Sequence, residues 1–321
     1  MARNFSSIVI VMLENALRSK VLENQYMSDL RKKGVFLANS YGVTHSSQPN
    51  YIASVGGDTL TLWRDEPGYA RWVYEPIDIM ATSIVDLLEA EGKTWKSYAE
   101  DLPEGYHAEN LKCWEANRKL YYANAVGPAA APEVDLPQWS FPADTDTFSR
   151  KHVPFLSFPN IITNPERTQN IVSVPANSTD NLFTQDVANN TLPNYAFYTP
   201  NMVNDGHNST DGVRINALGD HAHNIDNIEK FLRGFLTDDP VGYFPSGTLV
   251  AVTFDEGYPY HKRNEIYTLL ISDIFTDDEV GTERAEPCNH YNLLKSVEVN
   301  FGLDDLGRGD SAAEPLWFLR E

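Results

Sequence analysis

The stretch Ser7–Leu13 reads SIVIVML, and a second apolar stretch, Thr248–Phe254, reads TLVAVTF. Both are nearly continuous in apolar residues, which is typical of strands buried on both faces of a parallel sheet. Apolar residues at helical spacing predict helices over Ser83–Glu91, Asp226–Leu236 and Asn289–Phe301. Because strands alternate with helices, the sequence predicts an α/β fold with a mostly parallel central sheet flanked by helices.

Two further strands are predicted with shorter patterns. One combines Ile161–Ile162 with Ile171–Val174, and the other covers Ile266–Ser272. Residues 125–147 and 163–194 are rich in polar residues, Pro or Ala, and are predicted as long loop insertions. Neither loop has the composition of a linker, so we predict one domain over residues 1–321.

Composition limits the classes of partner. The 321 residues carry 25 Lys and Arg against 45 Asp and Glu, a formal net charge of −20, which disfavours nucleic acid and acidic lipid surfaces. No apolar run approaches the ~18 residues that a membrane span needs. Cys113 and Cys288 are too few for a disulfide scaffold or a cysteine-rich zinc site, and either one bridge or two free thiols would fit.

The first residues bear on the location of the protein. Ser7–Leu13 is followed by Glu14-Asn15 and not by a cleavage site of small residues, so it reads as a strand and not as a signal peptide. We therefore expect a cytoplasmic protein as the sequence is written, or a secreted one if a signal has been removed. Four sequons give mild support to secretion, at Asn4, Asn177, Asn189 and Asn208.

Acidic residues follow both of the apolar runs. Glu14-Asn15 comes directly after the first and Asp255-Glu256 directly after the second. In open α/β sheets the ligand crevice lies at the carboxyl ends of the strands, so these side chains would meet at one edge. Three carboxylates and an amide there would bind a hard cation such as Mg²⁺, Ca²⁺ or Mn²⁺. The alternative is that they are ordinary polar strand ends facing solvent.

A second polar cluster is Thr44–Tyr51, which reads THSSQPNY. A hydroxyl at a helix N-terminus lies beside free backbone N–H groups that bind anions. A bound metal would lower the pKa of that hydroxyl and make it a nucleophile. The alternative is an ordinary N-cap provided by Ser47 or Asn50.

Taken together, these motifs resemble the phosphoesterase family. That family contains fungal-type acid phosphatases and bacterial phospholipases C, and it belongs to the alkaline phosphatase superfamily. The resemblance extends from about Ile8 to Gly307, and it rests on four motifs in order and two further segments: Met12–Asn15, Thr44–Tyr51, Pro200–His207, Thr253–Gly257, Arg150–Phe155 and Asn289–Leu294. It implies an alkaline phosphatase-like three-layer sandwich.

The resemblance also implies a metal site and a nucleophile. Its metal ligands match Glu14, Asn15, Ser47, Asp255 and Glu256. In the superfamily the nucleophile tends to stand two residues before a proline at a helix start. Ser47 has that spacing from Pro49, whereas the competing hydroxyls of Thr44 and Ser46 do not. We expect one divalent ion, with Mg²⁺, Ca²⁺ or Mn²⁺ favoured and Zn²⁺ also compatible.

Further residues are expected to contact the phosphoryl group. Asn15 and Asn50 would orient its oxygens, and Lys151 and His152 of the basic triplet at residues 150–152 would bind it. Relatives with two metals use positions that match Asp205, His207 and His290. Because carboxylates are few there, we expect one metal and two histidines, with His207 and His290 binding the phosphoryl oxygens and protonating the leaving group.

Two neighbouring features carry less weight. A glycan on Asn208 would block a site that includes His207, so we expect Asn208 to be unmodified. The spacing of His221 and His223 after Asp220 resembles a metal-ligand pair, but it arises easily by chance.

The sequence therefore predicts a metal-dependent hydrolase of small phosphate monoesters that works through a covalent phosphoserine. The enzyme alternatives are a phosphodiesterase of the phospholipase C type and a specialised phosphatase acting on a phosphorylated or diphosphorylated metabolite. The alternative outside enzymes is an inactive homologue that binds metal. The oligomeric state is left open.

Overall fold

The computed structural model describes residues 3–60, 81–102, 147–162, 164–207, 222–258 and 263–320. Its strands are β1 Ser7–Leu13, β2 Val35–Leu37, β3 Ser40–Tyr41, β4 Trp95–Glu100, β5 Ile171–Val174, β6 Tyr195–Thr199, β7 Thr248–Phe254, β8 Glu265–Ile266, β9 Thr268–Ile271, β10 Glu283–Arg284 and β11 Cys288–Asn289. Its α-helices are α1 Arg18–Val21, α2 Gln25–Leu30, α3 Ser47–Gly56, α4 Ile84–Ala90, α5 Pro159–Ile162, α6 Pro165–Thr168, α7 Leu182–Ala188, α8 Ala222–Leu236, α9 Pro240–Tyr243 and α10 His290–Phe301.

Eight strands form the central sheet in the order β10-β2-β9-β7-β1-β6-β4-β5. The five strands β7-β1-β6-β4-β5 run parallel to one another, whereas β9 is antiparallel to both β7 and β2. A smaller sheet, β11-β3-β8, pairs β3 parallel with β11 and antiparallel with β8. The predicted mostly parallel sheet is therefore confirmed.

β1 lies at the centre of the sheet, and its alternate side chains enter two separate cores. Ile8, Ile10 and Met12 pack in the core that also contains α3, α4 and α10. The apolar side chains that alternate with these three along β1, starting at Val9, pack in the other core, with α2, α7 and α8. Because all seven residues of β1 are buried, each apolar side chain contributes roughly 1.5–3 kcal/mol to stability. Helices on both faces of one sheet make the predicted three-layer sandwich.

Most predicted elements are present, but two predictions are wrong. Ile161 and Ile162 belong to the short helix α5, not to a strand. Pro159 is the first residue of that helix, where its missing N–H costs nothing, and the burial of Ile161 in the core holds the turn in place. The predicted strand Ile171–Val174 is present as β5. The rest of residues 163–194, predicted as irregular, contains α6 and α7, and β4 and β6 were not predicted.

The sheet brings the ends of β1 and β7 together. They run parallel with Leu13 opposite Phe254, so the residues that follow them emerge at the same edge. β4 and β6 also end at this edge, and β3 leads through a short loop into α3. The candidate site lies at this edge.

Two remaining features concern the chain as a whole. Among the helices that the structure describes, none combines the length and the apolar character needed to cross a membrane. Cys288 is a buried free thiol, and Cys113 lies outside the described residues, as do residues 125–146 of the predicted loop.

Candidate active site

The ends of β1 and β7 place Glu14 and Asp255 side by side. The backbone N–H of Asn15 donates to Oδ1 of Asp255 at 3.0 Å, which ties the two strand ends together. Asn15 has a φ of 51°, a left-handed conformation that asparagine tolerates better than most residues. Glu14, Asp255 and Glu256 are all 0–1% exposed, so the carboxylates do not face bulk solvent. The predicted grouping of strand-end side chains is present.

Ser47 is the first residue of α3 and faces these carboxylates. Its Oγ donates to Oε2 of Glu14 at 3.0 Å, and it is 2% exposed. Ser46 precedes it with a φ of 80°, a conformation that costs a non-glycine residue on the order of 1–3 kcal/mol. The Ser46 N–H donates to Oε2 of Glu256 at 3.1 Å, which helps to hold this turn. Of the three competing hydroxyls, the geometry favours Ser47 because its Oγ contacts the strand-end cluster.

His45 contacts the same carboxylate as Ser46. Its Nδ1 lies 2.7 Å from Oε2 of Glu256, and burial lowers the pKa of its imidazole. No role was predicted for this histidine. Its position two residues before Ser47 is the signal that could have identified it.

His152 lies between two buried carboxylates. Its Nε2 is 2.9 Å from Oε1 of Glu14, and its Nδ1 is 3.1 Å from Oδ2 of Asp205. The ring stacks on Tyr51, with centroids 5.0 Å apart and planes inclined by 4°. Both ring nitrogens thus face carboxylates, which corrects the prediction that His152 binds the phosphoryl group.

Asp205 connects this group to the loop after β6. Its backbone carbonyl accepts from the N–H of Glu14 at 2.9 Å, and its Oδ1 accepts from the N–H of His207 at 2.8 Å. Burial raises the pKa of Asp205 to about 7, although His152 opposes that shift. The His207 ring is half-buried, and its centroid lies 6.0 Å from that of His152. His207 therefore lies beside the cluster, as predicted.

His290 is placed differently from the prediction. It begins α10, it is 2% exposed, and its Nε2 lies 2.7 Å from the backbone carbonyl of Asp255. Burial lowers the pKa of His290 to about 4, so its imidazole is neutral near pH 7 and Nε2–H donates to that carbonyl. His290 thus holds the end of β7 through Nε2, and its role in protonating the leaving group stays a prediction.

Asn50 is also placed differently. Its Oδ1 accepts from the N–H groups of Val43 and Thr44, and its Nδ2 donates to the carbonyls of Thr44 and Ser46, all at 2.9–3.1 Å. Because both amide hydrogens are used, the predicted contact of Asn50 with a phosphoryl oxygen is corrected. Its side chain instead shapes the loop before Ser47.

The basic triplet forms a 3₁₀ turn over residues 150–152. Arg150 donates to the carbonyl of Leu156 at 2.6 Å, which is a fold contact. Lys151 is half-buried next to His152, and its role in binding phosphate stays a prediction. Asn208, Asp220 and His221 lie outside the described residues, and of His223 only the backbone is described, within α8.

The concentration of buried negative charge is the main electrostatic feature of the site. Burial and the charge of Glu14 raise the pKa of Asp255 well above its ordinary value. Burial, together with Glu14, Asp255 and Asp205, does the same to the hydroxyl of Tyr51. Like charges removed from water are costly unless a cation compensates them.

The donor atoms fit a hard cation. Oδ1 of Asn15 and Oδ2 of Asp255 are buried and have no hydrogen-bond partner within the described part of the chain. They lie beside Glu14 and Ser47, so the available donors are all oxygens, as Mg²⁺, Ca²⁺ and Mn²⁺ prefer. In the same part of the chain, no group of three or more His, Cys, Asp or Glu side chains is arranged to hold a metal ion by itself. Asn15 and Ser47 contribute donors of other types, and the binding of a cation here stays a prediction.

Comparison with known proteins agrees with this geometry. The sequence model of the Phosphoesterase family matches residues 20–304. The chain belongs to the phosphoesterase family. Among its relatives in this family are a probable acid phosphatase of Kluyveromyces lactis, 34% identical over 97% of this chain, and an acid phosphatase of Aspergillus fumigatus, 30% identical over 97%. The chain spans 62% and 58% of the lengths of these two relatives.

The fold of this family member is that of the alkaline phosphatase superfamily. It is similar to a solved structure of a protein in that superfamily from Vibrio parahaemolyticus, with a TM-score of 0.51 and 13% identity. The match covers 100% of this chain and 73% of that one. The alkaline phosphatase-like fold that the resemblance implied is therefore confirmed.

Proposed function

We propose that this chain hydrolyses small phosphate monoesters, with Ser47 as the nucleophile. The observation that carries the proposal is the 3.0 Å hydrogen bond from Ser47 Oγ to Glu14, at the first residue of a ten-residue helix. The acid phosphatases named among the relatives support the choice of monoesters. The chain is shorter than those relatives, so the activity is inferred for this chain from its own site.

The helix N-terminus and the carboxylates have complementary tasks in this proposal. The N-terminus of α3 offers backbone N–H groups and a partial positive charge to the phosphoryl oxygens. Glu14, Asn15, Ser47, Asp255 and Glu256 are the residues that would hold one divalent cation. When bound, the cation lowers the pKa of the serine hydroxyl and offsets charge on the phosphoryl oxygens.

The first step transfers the phosphoryl group to the enzyme. Ser47 Oγ forms a bond to phosphorus while the bond from phosphorus to the leaving oxygen breaks. The hydroxyl proton of Ser47 passes along its hydrogen bond to Glu14, and His207 gives a proton to the leaving oxygen. The products of this step are a free alcohol and phosphoserine.

The second step regenerates the enzyme. Water attacks phosphorus and gives one proton to His207, the bond from phosphorus to Oγ breaks, and Glu14 returns its proton to Ser47. His290 and Asn50 take no proton in this scheme, because they hold the backbone of the β7 end and of the loop before Ser47.

Initial rates on an aryl phosphate monoester and on the matching diester test the proposal. The protein is treated with chelator, and Mg²⁺, Ca²⁺, Mn²⁺ or Zn²⁺ is then added back separately. We expect monoester hydrolysis that is lost with chelator and restored by at least one hard cation. Preference for the diester would support the phospholipase C type of activity, and no turnover with any cation would refute enzymatic function.

A further inference from the structure

Asn264 connects the two loops that carry the candidate catalytic groups. Its Nδ2 donates to the backbone carbonyl of Thr44 at 2.6 Å, three residues before Ser47. Its Oδ1 accepts from the N–H of Gly257 at 2.7 Å, directly after Glu256. A single carboxamide therefore bridges the nucleophile loop, Gly42–Ser46, and the carboxylate loop, Asp255–Gly257.

The backbone around Asn264 is packed closely enough to require this arrangement. The N–H of Gly42 donates to the carbonyl of Asn264 at 2.9 Å. A Cβ at Gly42 would lie 2.7 Å from Nδ2 of Asn264 and 2.8 Å from the carbonyl of Asp255. Real Cβ atoms do not approach other atoms this closely, so glycine at this position leaves the space that the bridge occupies.

The bridge lies at the junction of the two sheets. The nucleophile loop leaves β3 of the small sheet, whereas the carboxylate loop leaves β7 of the central sheet. Below the loops, a chain of hydroxyl hydrogen bonds joins the same strands, from Ser40 to Thr268 at 2.9 Å and from Thr268 to Thr253 at 2.8 Å. Above that chain, His45 and Ser46 contact Glu256 directly, and the side chain of Asn264 adds a second connection between the backbones of the two loops.

We propose that Asn264 is a positioning residue that sets the distance between Ser47 and the carboxylates of β7. The inference rests on the phosphoryl transfer proposed above. Asn264 takes no part in the chemistry, and it acts by preventing the two loops from separating. Because a displacement of about 1 Å between reacting groups can cost about a hundredfold in rate, the loss of this bridge should lower kcat more than it raises KM.

The test compares Asn264→Ala with a matched control, Asn194→Ala. Asn194 also bridges two segments with its side chain. Its Nδ2 donates to the carbonyl of Ser6 at 3.1 Å, and its Oδ1 accepts from the N–H of Thr94 at 3.0 Å and from the hydroxyl of Thr94 at 3.2 Å. It lies at the opposite edge of the sheet, where β6 begins. With an aryl phosphate and Mn²⁺, we expect kcat to fall about 10- to 100-fold for Asn264→Ala, and to change less than threefold for Asn194→Ala.

A second variant separates the two bonds of the bridge. Asn264→Asp keeps the acceptor for Gly257 and loses the donor to Thr44, so it too should lose kcat at nearly constant KM. Amide hydrogen exchange provides a readout independent of turnover. The Gly257 amide should exchange at least about tenfold faster in Asn264→Ala and stay protected in Asn264→Asp.

The outcomes distinguish this inference from the proposed function. Wild-type protein without turnover would refute the function, and faster exchange at Gly257 in Asn264→Ala would then still support the bridge. If the wild type is active and both Asn264 variants keep kcat within threefold of the wild-type value, the positioning role of Asn264 is overturned and the proposed function is not. Equal losses of kcat in Asn264→Ala and Asn194→Ala would also overturn it, because they would indicate a general loss of stability.

Discussion

The substitution Asp255→Asn should stabilise the metal-free protein while it removes activity. Asp255 is fully buried beside Glu14, and its pKa is raised well above its ordinary value by burial and by the Glu14 charge. Asparagine has the same shape and keeps the Oδ1 acceptor that the Asn15 N–H uses. The substitution therefore removes a repelled charge and preserves the hydrogen bond between the strand ends.

The size of the effect follows from the charge that is removed. Two unit charges roughly 5–8 Å apart repel by about 2–3 kcal/mol at an effective dielectric constant of about 20. For 321 residues, 1 kcal/mol corresponds to about 1.5 °C in Tm, so the metal-free variant should melt about 3–5 °C above wild type. A cation present at a concentration of about 100 times its Kd stabilises the wild type by about 2.7 kcal/mol, which corresponds to a rise of about 4 °C in Tm. That rise should be small in the variant.

Thermal unfolding with chelator and with excess Mn²⁺ measures both effects. The control is Asp186→Asn, because Asp186 is also buried, although at 7% exposed it is less so than Asp255, and it is paired with Lys96 at 2.6 Å and accepts from Tyr98 at 2.7 Å. The control should lower Tm by the same amount with and without Mn²⁺. The reasoning is refuted if metal-free Asp255→Asn melts below wild type, or if Mn²⁺ raises Tm equally in both proteins.

Four further predictions concern single side chains. Ser47→Ala should lower kcat by several orders of magnitude with a small change in Tm, whereas Thr44→Ala should keep most activity; the reverse in rate assays would make Thr44 the nucleophile. His207→Asn should lose about 10²–10⁴ in kcat on an alkyl phosphate and less on an aryl phosphate, and equal losses would argue against proton donation. His290→Asn loses a backbone contact at the end of β7, so kcat should fall by the same factor on both substrates. Burial raises the pKa of Glu298 to about 8 in the folded protein, whereas in the unfolded chain this carboxyl keeps its ordinary, lower pKa. Between these two pKa values the folded state binds a proton that the unfolded state has released, so the free energy of unfolding should fall as pH rises toward 8. Urea unfolding at roughly pH 5 and pH 9 should show a smaller fall for Glu298→Gln, and an unchanged fall would contradict this.

The sequence was sufficient to predict the central strands and the edge where the site lies. β1 and β7 are apolar throughout, and acidic residues follow both, so Glu14 and Asp255 could be placed together before the structure was known. By contrast, β6 (YAFYT) is short and mixed in character, and Ile161–Ile162 has β-branched residues in a helix that tertiary packing stabilises. Local patterns do not contain those tertiary contacts.

The roles of individual side chains were harder to predict than their presence. His290 and Asn50 lie near the site, but their hydrogen bonds go to backbone groups. A motif gives residue types and spacing, and it does not give the direction in which a side chain points. Asn264 had no motif at all, because its partners, Thr44 and Gly257, are brought to it only by the pairing of β3 with β8 and by the end of β7.

The claim that Ser47 is a metal-dependent nucleophile can be tested directly by trapping the covalent intermediate. The protein is mixed with an aryl phosphate and Mn²⁺, quenched in acid within one turnover, digested, and analysed by mass spectrometry. We predict one phosphoryl group on Ser47, absent after chelation and absent in Ser47→Ala. Turnover without a phosphorylated peptide, or phosphate on Thr44 or Ser46 in the active wild type, would contradict the account.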